Sequence, residues 1–424
     1  MSTLAGTVEP RLRELVSGLM TRAAVPGVAI GIWYQGESVA FGCGVTSMEQ
    51  PLPVTDETLF QIGSITKTFT GTAIMSLVEK GVLDLDAKVR TYLPEFRVSD
   101  EVASREATLR QLLTHLGGWA GDFFHGTGAG DDAIARYVAD MAELPQLAPI
   151  GTHWSYNNAG FSVAGHIMEI ATQKRYEEVL SELVLAPLGL EHTFFDPGDV
   201  ITHSFAVGHI VVEGKAQVAR PWALDRAIYP AGGITCHVND LLRYARFHLG
   251  DGRAADGTSV LSRESLTTMH TPQVAVREGE SWGLSWGIVD DIEGARQVRH
   301  GGGTKGQVSL LVMVPEHEMA VAILTNADRG GLITDEVRRW VLKELLGLEA
   351  PRAEPLDAEE QDLAQYEGRY CGYYMDLDLG ILGGKLVGQV TYKRGFPNED
   401  VPPPPAPPPA SVALCAEDQL LVLD

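Results

Sequence analysis

The sequence has few of the features that mark membrane, nucleic-acid-binding or disulfide-stabilised proteins. It lacks the apolar run of about eighteen residues that a membrane-spanning helix needs. Its 33 lysines and arginines are outnumbered by 56 aspartates and glutamates, and the net charge of −23 argues against nucleic acid as a partner. The four cysteines are far apart and form no Cys-x-x-Cys pair, which predicts free thiols in a reducing compartment.

The start of the chain also lacks the apolar segment of a secretion signal. It carries charges such as Glu9 and Arg11, while Leu12, Val16 and Leu19 share one face of a predicted helix. These observations together predict a cytoplasmic protein that contacts no membrane. Because the 12 histidines show no paired metal-ligand spacing, the sequence predicts no metal and no cofactor.

Composition and periodicity divide the chain into three parts. Residues 1–347 are predicted to form a large domain, and residues 348–358 a linker. Residues 359–424 alternate in polarity like a small antiparallel β domain, and the proline-rich stretch 401–411 is predicted to be an exposed loop within it.

Strand patterns within the large domain lie near both of its ends. They occupy about 10–60 and 280–347, whereas helical segments fill about 82–230. Strands distant in sequence would pair into one antiparallel sheet flanked by helices, with a mostly helical lobe beside it. This is a mixed α/β (α+β) fold, and the cleft between sheet and lobe is a natural place for a site.

The stretch VRHGGGTKGQV, residues 298–308, admits several functions. His-Gly-Gly-Gly is typical of the oxyanion loop of lipase-like hydrolases, which also need a Gly-x-Ser-x-Gly turn later in the chain. The nearest candidate, at 160–164, precedes the loop, ends in Ala164 and lies in an apolar helical pattern, where Ser162 is expected to pack. A phosphate-binding loop fits less well, because a strand rather than a helix follows.

A serine and a lysine at Ser-x-x-Lys spacing suggest a different nucleophile. Ser64 lies where a helix is predicted to begin, in FQIGSITKTF, and Lys67 follows three residues later. Residues i and i+3 share a helix face, so the amine reaches the hydroxyl. A serine becomes nucleophilic when a base takes its proton, and lysine can be that base when burial disfavours its charged form. The motif alone is weak, because Ser64 could equally be an ordinary helix cap.

A Tyr-x-Asn sequence supplies a second group of polar side chains. Tyr156 and Asn158 lie at a turn before a predicted helix. The phenol can relay a proton, and the amide can orient Lys67 or a substrate. His115, at the end of the apolar helical pattern in LRQLLTHLGGW, is predicted to have a structural role.

These two motifs, followed by His300-Gly301-Gly302, have the order and spacing found in the serine β-lactamase and penicillin-binding-protein superfamily. The chain resembles this superfamily over about residues 10–347, and it is most similar to the class C branch. That branch also includes family VIII carboxylesterases, D-amino-acid peptidases and penicillin-binding-protein-type peptide cyclases. The part from about 359 resembles the lipocalin-like β domain of such enzymes. Residues 1–347 would then be the catalytic domain.

The resemblance implies a role for each matching residue. Ser64 would be the acylated nucleophile, Lys67 its general base or the partner of that base, and Tyr156 the relay that passes the proton to the leaving group. Asn158 would hold Lys67 and the substrate amide. The backbone N–H groups of Ser64 and Gly303 would form the oxyanion hole.

The wall of the site departs from the usual pattern at one position. Relatives with strong β-lactamase activity usually carry Lys-Thr-Gly where this chain has His300-Gly301-Gly302. Histidine is neutral or only partly charged near pH 7, so binding of a substrate carboxylate would be weaker. Lys305 could supply a cation instead, although a solvated position at the strand start is expected for it. Gly301 to Gly303, which have no side chains, would let an extended acyl group approach the strand.

The expected function is that of a serine hydrolase acting on small esters, amides or D-amino-acid peptides, with weak or no β-lactamase activity. Two alternatives stay open at this point. One is an acyltransferase or peptide cyclase, in which an amine resolves the acyl-enzyme. The other is a β-lactam-binding sensor without turnover. The sequence also leaves open whether the chain forms a homo-oligomer.

Overall fold

The computed structural model describes residues 4–290, 295–349, 352–357, 360–416 and 418–423. The chain forms two compact units. One comprises Met1–Gly121 and Thr127–Glu349, and the other comprises Asp122–Gly126 and Ala350–Asp424.

The strands of the larger unit come in two groups, one early and one late in the chain, with short strands between them. In chain order they are β1 (Gly27–Tyr34), β2 (Glu37–Gly44), β3 (Phe60–Gln61), β4 (Thr193–Phe194), β5 (His209–Val212), β6 (Lys215–Val218), β7 (Thr235–Cys236), β8 (Val274–Arg277), β9 (Glu280–Trp282), β10 (Gly287–Asp290), β11 (Arg296–Thr304), β12 (Gln307–Val314) and β13 (Met319–Thr325).

The helices of the larger unit lie mostly between these two groups of strands. They are α1 (Leu4–Ala23), α2 (Thr66–Glu79), α3 (Val89–Tyr92), α4 (Glu101–Glu106), α5 (Leu109–Leu113), α6 (Ala133–Asp140), α7 (Asn158–Thr172), α8 (Tyr176–Leu180), α9 (Pro197–Val200), α10 (Tyr229–Gly232), α11 (Val238–Leu249), α12 (Arg263–Met269) and α13 (Gly330–Leu346).

An eight-stranded sheet of order β2-β1-β13-β12-β11-β10-β9-β8 forms the core of this unit. Every neighbouring pair is antiparallel, and β1 lies beside β13 with Ile30 opposite Ile323. Strands from the two ends of the large domain therefore share one sheet, which confirms the predicted fold class.

Helices cover the centre of the sheet. Helix α11 packs on β1 and β13, and α13 packs on β12 and β13. All seven residues of β13 are buried. This explains the apolar run MAVAIL, because a strand covered on both faces favours apolar side chains. The buried Thr325 that ends the strand donates a hydrogen bond of 2.8 Å to the Val308 carbonyl.

The helices between residues 82 and 230 are accompanied by a hairpin, β5–β6, that the helical interpretation missed. Strands β5 and β6 pair around Glu213 and Gly214, whose φ angles are 49° and 74°. Two successive positive φ values are typical of the tight turns that join hairpin strands. Ser162 is buried in α7 and donates a hydrogen bond of 2.8 Å to the Ala227 carbonyl, as expected for a packing residue.

The smaller unit is built on a five-stranded antiparallel sheet of sequential order. Leucines at 363, 379, 386 and 414 form its core with Val412. The strand that follows the prolines begins at Ala410, inside the stretch predicted as a loop. The elements are α14 (Glu360–Leu363), β14 (Gly368–Cys371), β15 (Met375–Leu382), β16 (Lys385–Tyr392), β17 (Ala410–Ala416) and β18 (Gln419–Val422).

Asp122–Gly126 belongs to the smaller unit although it is distant in sequence from the rest of it. The Phe124 ring contacts the rings of Tyr374 and Phe396, with centroids 5.4 and 4.8 Å away. Within the described residues, no helix of either unit is both long and apolar enough to cross a membrane.

We expect Gly31→Ala to destabilise the large unit by about 1–3 kcal/mol, because a Cβ on β1 would lie 2.6 Å from Leu242 of α11. Gly18→Ala on the exposed face of α1 is the matched control. A Cβ there meets nothing within 4 Å, and the change should stabilise the helix by about 0.5–1 kcal/mol. Urea unfolding measures the free energy of unfolding of both variants. Changes of the same sign in the two variants would contradict the described packing of α11 on β1.

Candidate active site

Ser64 and Lys67 are brought together by the start of α2. Ser64 lies in a 3₁₀ turn, Gly63–Ile65, that runs directly into the helix, and Lys67 is the second residue of α2. The Lys67 side chain is fully buried. Its Nζ donates to Ser64 Oγ at 2.9 Å, to Asn158 Oδ1 at 2.7 Å and to the Ala231 carbonyl at 2.7 Å. The amine therefore contacts the hydroxyl directly.

The first residue of α7 supplies the amide that contacts Lys67. Asn157 caps this helix, because its Oδ1 accepts a hydrogen bond of 2.8 Å from the Gly160 N–H. Its Nδ2 also donates to the Trp119 carbonyl at 2.9 Å. These two bonds fix the start of α7 and, with it, Asn158.

Tyr156 precedes this cap and lies against the amine. Lys67 Nζ is 4.9 Å from the centroid of the Tyr156 ring, a distance at which a cation is attracted to an aromatic face. A second ring, that of Phe161, is 5.5 Å from the same Nζ. The structure thus gathers all three predicted catalytic side chains around one buried nitrogen.

Strand β11 forms the opposite wall of the site and passes close to the serine turn. A Cβ on Gly63, whose φ is 50°, would lie 2.7 Å from the Gly303 nitrogen. A Cβ on Gly302 would lie 1.9 Å from the Ile62 carbonyl oxygen, so this position requires glycine. At Gly303 a Cβ would meet nothing within 4 Å. The glycines therefore differ in purpose: Gly302 permits packing against Ile62, while Gly303 faces open space.

A cavity of about 400 Å³ opens between these walls. It combines the predicted nucleophile and phenol with the glycine strand and a charged pair. Its lining consists of Ser64, Tyr156, Glu280, Trp282, Gly287, Arg299, His300, Gly301, Gly302, Gly303 and Leu310. Lys67 and Asn158 are not among the lining residues; Lys67 contacts both Ser64 and Asn158.

His300 is a neutral imidazole in this cavity. It is buried, and burial together with the nearby charge of Lys67 lowers its pKa to about 3. Its Nδ1 lies 2.5 Å from the Gly301 carbonyl oxygen and donates to it, so Nε2 carries the lone pair. The side chain therefore offers a hydrogen-bond acceptor near pH 7, not a cation.

The charged pair in the lining was missed by sequence reasoning. Arg299 Nη2 donates to Glu280 Oε1 at 3.0 Å, and Arg277 holds the other Glu280 oxygen at 2.5 Å. Glu280 lies on β9 and Arg299 on β11. The alternating pattern of each strand does not predict that these two side chains form a contact. Lys305, the alternative cation, lies in the turn between β11 and β12 and is not part of the lining.

His115 was predicted to be structural, and the structure places it beside the phenol. Its ring centroid is 4.3 Å from that of Tyr156 and 4.9 Å from the centroid of Trp282. Burial and the charge of Lys67 lower its pKa well below the usual value for histidine, so it too is neutral. The apolar pattern that contains His115 predicted its burial but not this neighbour.

Comparison with known proteins decides the family. The family model described as Beta-lactamase matches residues 12–344. The chain belongs to the β-lactamase family. It is a serine hydrolase of the superfamily that contains β-lactamases and penicillin-binding proteins, which confirms the resemblance stated from the motifs.

Individual members of the β-lactamase family show how far the similarity extends. Penicillin-binding protein 4 of Amycolatopsis lactamdurans is 34% identical over 370 residues, covering 84% of this chain and 96% of that protein. A D-aminopeptidase of Gluconobacter oxydans is 26% identical over 388 residues, which cover 89% of this chain and 68% of that protein. The structure of the octameric penicillin-binding protein homologue from Pyrococcus abyssi has a TM-score of 0.72 at 26% identity. The match covers 95% of this chain and 90% of that one.

The neutral state of His300 leads to a prediction about acid stability. Unfolded histidine binds a proton below about pH 6.5, whereas folded His300 does so only near pH 3. The contribution of His300 to stability is therefore complete above pH 6.5 and is lost as the pH falls towards 3. The free energy of unfolding of the parent should fall between pH 7 and pH 5. In His300→Asn we expect this fall to be smaller by about 2 kcal/mol.

Urea unfolding at the two pH values measures this difference. His153→Asn makes the same substitution at an exposed position and is the matched control against which the effect of His300→Asn is read. An unchanged pH dependence in His300→Asn would contradict a neutral, buried His300.

Proposed function

We propose that this serine hydrolase works through an acyl-enzyme on Ser64 and acts on small esters, amides or D-amino-acid peptides. The observation that carries the proposal is the 2.9 Å contact between Lys67 Nζ and Ser64 Oγ at the edge of the cavity. A buried amine in contact with a serine hydroxyl is an arrangement that activates a nucleophile.

Acylation follows from the positions of these groups. Ser64 Oγ attacks the substrate carbonyl carbon, and its proton passes to Tyr156, which accepts it as a phenolate while Lys67 stays the ammonium that donates to Ser64 and Asn158. The resulting oxyanion is stabilised by the backbone N–H groups of Ser64 and Gly303, which the close approach of β11 to Gly63 brings near each other. Tyr156 then gives the proton to the leaving alkoxide or amine as its bond to the carbonyl carbon breaks.

Deacylation reverses the roles of the same residues. A water molecule gives a proton to Tyr156 and attacks the ester carbonyl of the acyl-enzyme. The bond to Ser64 Oγ breaks, Ser64 is reprotonated, and the acid leaves. Asn158, which accepts a hydrogen bond from Lys67 at 2.7 Å, keeps the amine in place through both steps.

The charges of the lining favour esters and amides over β-lactams. His300 is neutral, and the guanidinium of Arg299 is already paired with Glu280 at 3.0 Å. A substrate carboxylate therefore finds no unpaired cation among the lining residues named above. The similarity to a D-aminopeptidase supports a D-amino-acid peptide as one substrate class.

Intact-protein mass spectrometry tests the proposal. We expect a p-nitrophenyl ester or a D-amino-acid amide, neither of which carries a carboxylate, to give a transient mass increase equal to its acyl group, with turnover. Ser64→Ala should show no adduct, and its kcat/KM should fall by at least about 10³-fold, because the nucleophile is absent. A cephalosporin should react slowly or not at all.

The other outcomes separate the alternatives. Turnover that survives in Ser64→Ala would disprove the acyl-enzyme. A stable β-lactam adduct without turnover would identify a sensor. Release of a D-amino-acid conjugate in place of the free acid, when D-leucine is added, would identify an acyltransferase.

The relative from Pyrococcus abyssi is octameric, which supports the proposal that this chain also assembles into a homo-oligomer. Sedimentation velocity at micromolar concentration measures this directly. A single species at the monomer mass of 45.8 kDa would contradict it.

A further inference from the structure

The segment that carries Tyr156 has no regular secondary structure of its own. Residues 154–157 lie between a turn and the first residue of α7. Such backbone is held in one conformation only where its N–H and C=O groups find specific partners. The partners of this segment therefore decide where the phenol lies.

Both N–H groups that flank Tyr156 are bound by one residue. The Ser155 N–H donates to the His115 carbonyl oxygen at 3.0 Å, and the Asn157 N–H donates to His115 Nδ1 at 3.0 Å. The His115 ring also packs on the ring of Tyr156, with centroids 4.3 Å apart and planes 36° apart. His115 thus contacts the residue before the tyrosine, the tyrosine itself and the residue after it.

The backbone of His115 is itself set in an unusual conformation. Its φ is 58°, in the left-handed region where, apart from glycine, mainly asparagine, aspartate and histidine are found. This conformation aims its carbonyl and its ring at the same segment. The side chain is 0% exposed, and Trp154, Phe161 and Trp282 surround it at centroid distances of 5.9, 5.4 and 4.9 Å.

The hydrogen bonding also fixes the tautomer of His115. Because Nδ1 accepts the Asn157 N–H, it must carry a lone pair, and the proton of the neutral ring is on Nε2. A protonated ring would have no acceptor for Asn157. A hydrogen-bond acceptor at this place is thus a chemical requirement, which an apolar residue of similar size would not meet.

We propose that His115 is the positioning residue for Tyr156: it holds the phenol beside Lys67 through two backbone hydrogen bonds and a ring contact. The proposal rests on the proposed function, in which Tyr156 moves the proton. His115 touches no reacting atom and acts only through the placement of the tyrosine.

Two substitutions separate the acceptor from the packing. His115→Leu keeps apolar volume but removes the acceptor, and we expect kcat on a p-nitrophenyl ester to fall by about 10²-fold with KM little changed, as for a misplaced catalytic group. His115→Asn restores an oxygen acceptor close to the position of Nδ1 and tolerates the left-handed backbone. It should keep kcat within about tenfold of the parent.

A matched control distinguishes positioning from general damage to the core. His270 is another buried histidine, and its ring contacts His248 and Trp286 instead. His270→Leu should lower the unfolding temperature without changing kcat by more than about threefold. An equal loss of kcat in His270→Leu and His115→Leu would overturn the proposal.

A double-mutant cycle with Tyr156→Phe gives the decisive measurement. If His115 acts through the phenol, His115→Leu should change kcat by less than about threefold once the hydroxyl is gone. Losses that multiply in the double variant would overturn the positioning role. If His115→Leu does not fold, His115→Asn takes its place in the cycle. Its smaller loss of kcat should then be absent when Tyr156→Phe is also present. A Tyr156→Phe variant as active as the parent would instead refute the proposed function.

Discussion

The site depends on the burial of a single ammonium group. Lys67 has no exposed surface, and a buried charge is tolerated only when its donors are satisfied. Its three described acceptors come from three segments, since Asn158 and Ala231 lie 91 and 164 residues further along the chain. The hydrogen bonds that satisfy the amine therefore also bring α7 and α10 to the serine turn. Stability and chemistry share the same contacts.

Rings close off the other side of this amine. Tyr156, His115, Trp282 and His300 contact one another at centroid distances of 4.3 to 6.3 Å. Their burial lowers the pKa of both histidines, and the charge of Lys67 lowers it further. Burial in an aromatic enclosure, reinforced by one cation, thus keeps both histidines neutral. A second cation at the third motif would have to share this enclosure with Lys67.

The sequence predicted the elements whose residues act locally. Ser64 and Lys67 are three residues apart, in a 3₁₀ turn and the helix that continues it, so helical spacing alone predicts their contact. The strand patterns at both ends predicted one sheet, because apolar runs such as MAVAIL are typical of strands buried on both faces. The Tyr-x-Asn and glycine motifs were visible in the sequence, and the family resemblance then gave roles to Tyr156, Asn158 and the glycine strand.

The contacts that no local pattern encodes were missed. The hydrogen bond from Lys67 to the Ala231 carbonyl and the Glu280–Arg299 pair depend on how distant segments pack. Every residue has a backbone carbonyl, so residue type cannot indicate which one accepts a hydrogen bond. The turn of the β5–β6 hairpin uses Glu213 where asparagine or aspartate would be the usual signal. Segment 122–126 was assigned to the large domain by its neighbours in sequence, although its phenylalanine packs in the small unit.

The pairing of β1 with β13 determines how late in synthesis the central sheet can form. Val28 lies opposite Thr325, so nearly the whole catalytic region must leave the ribosome before β1 finds its central neighbour. Until then the β1–β2 hairpin has an unpaired apolar edge, which is the kind of surface that aggregates during synthesis. The glycine strand that completes the site, β11, is also late in this order. The nucleophile is therefore made early and stays without its pocket until the last third of the domain has been translated.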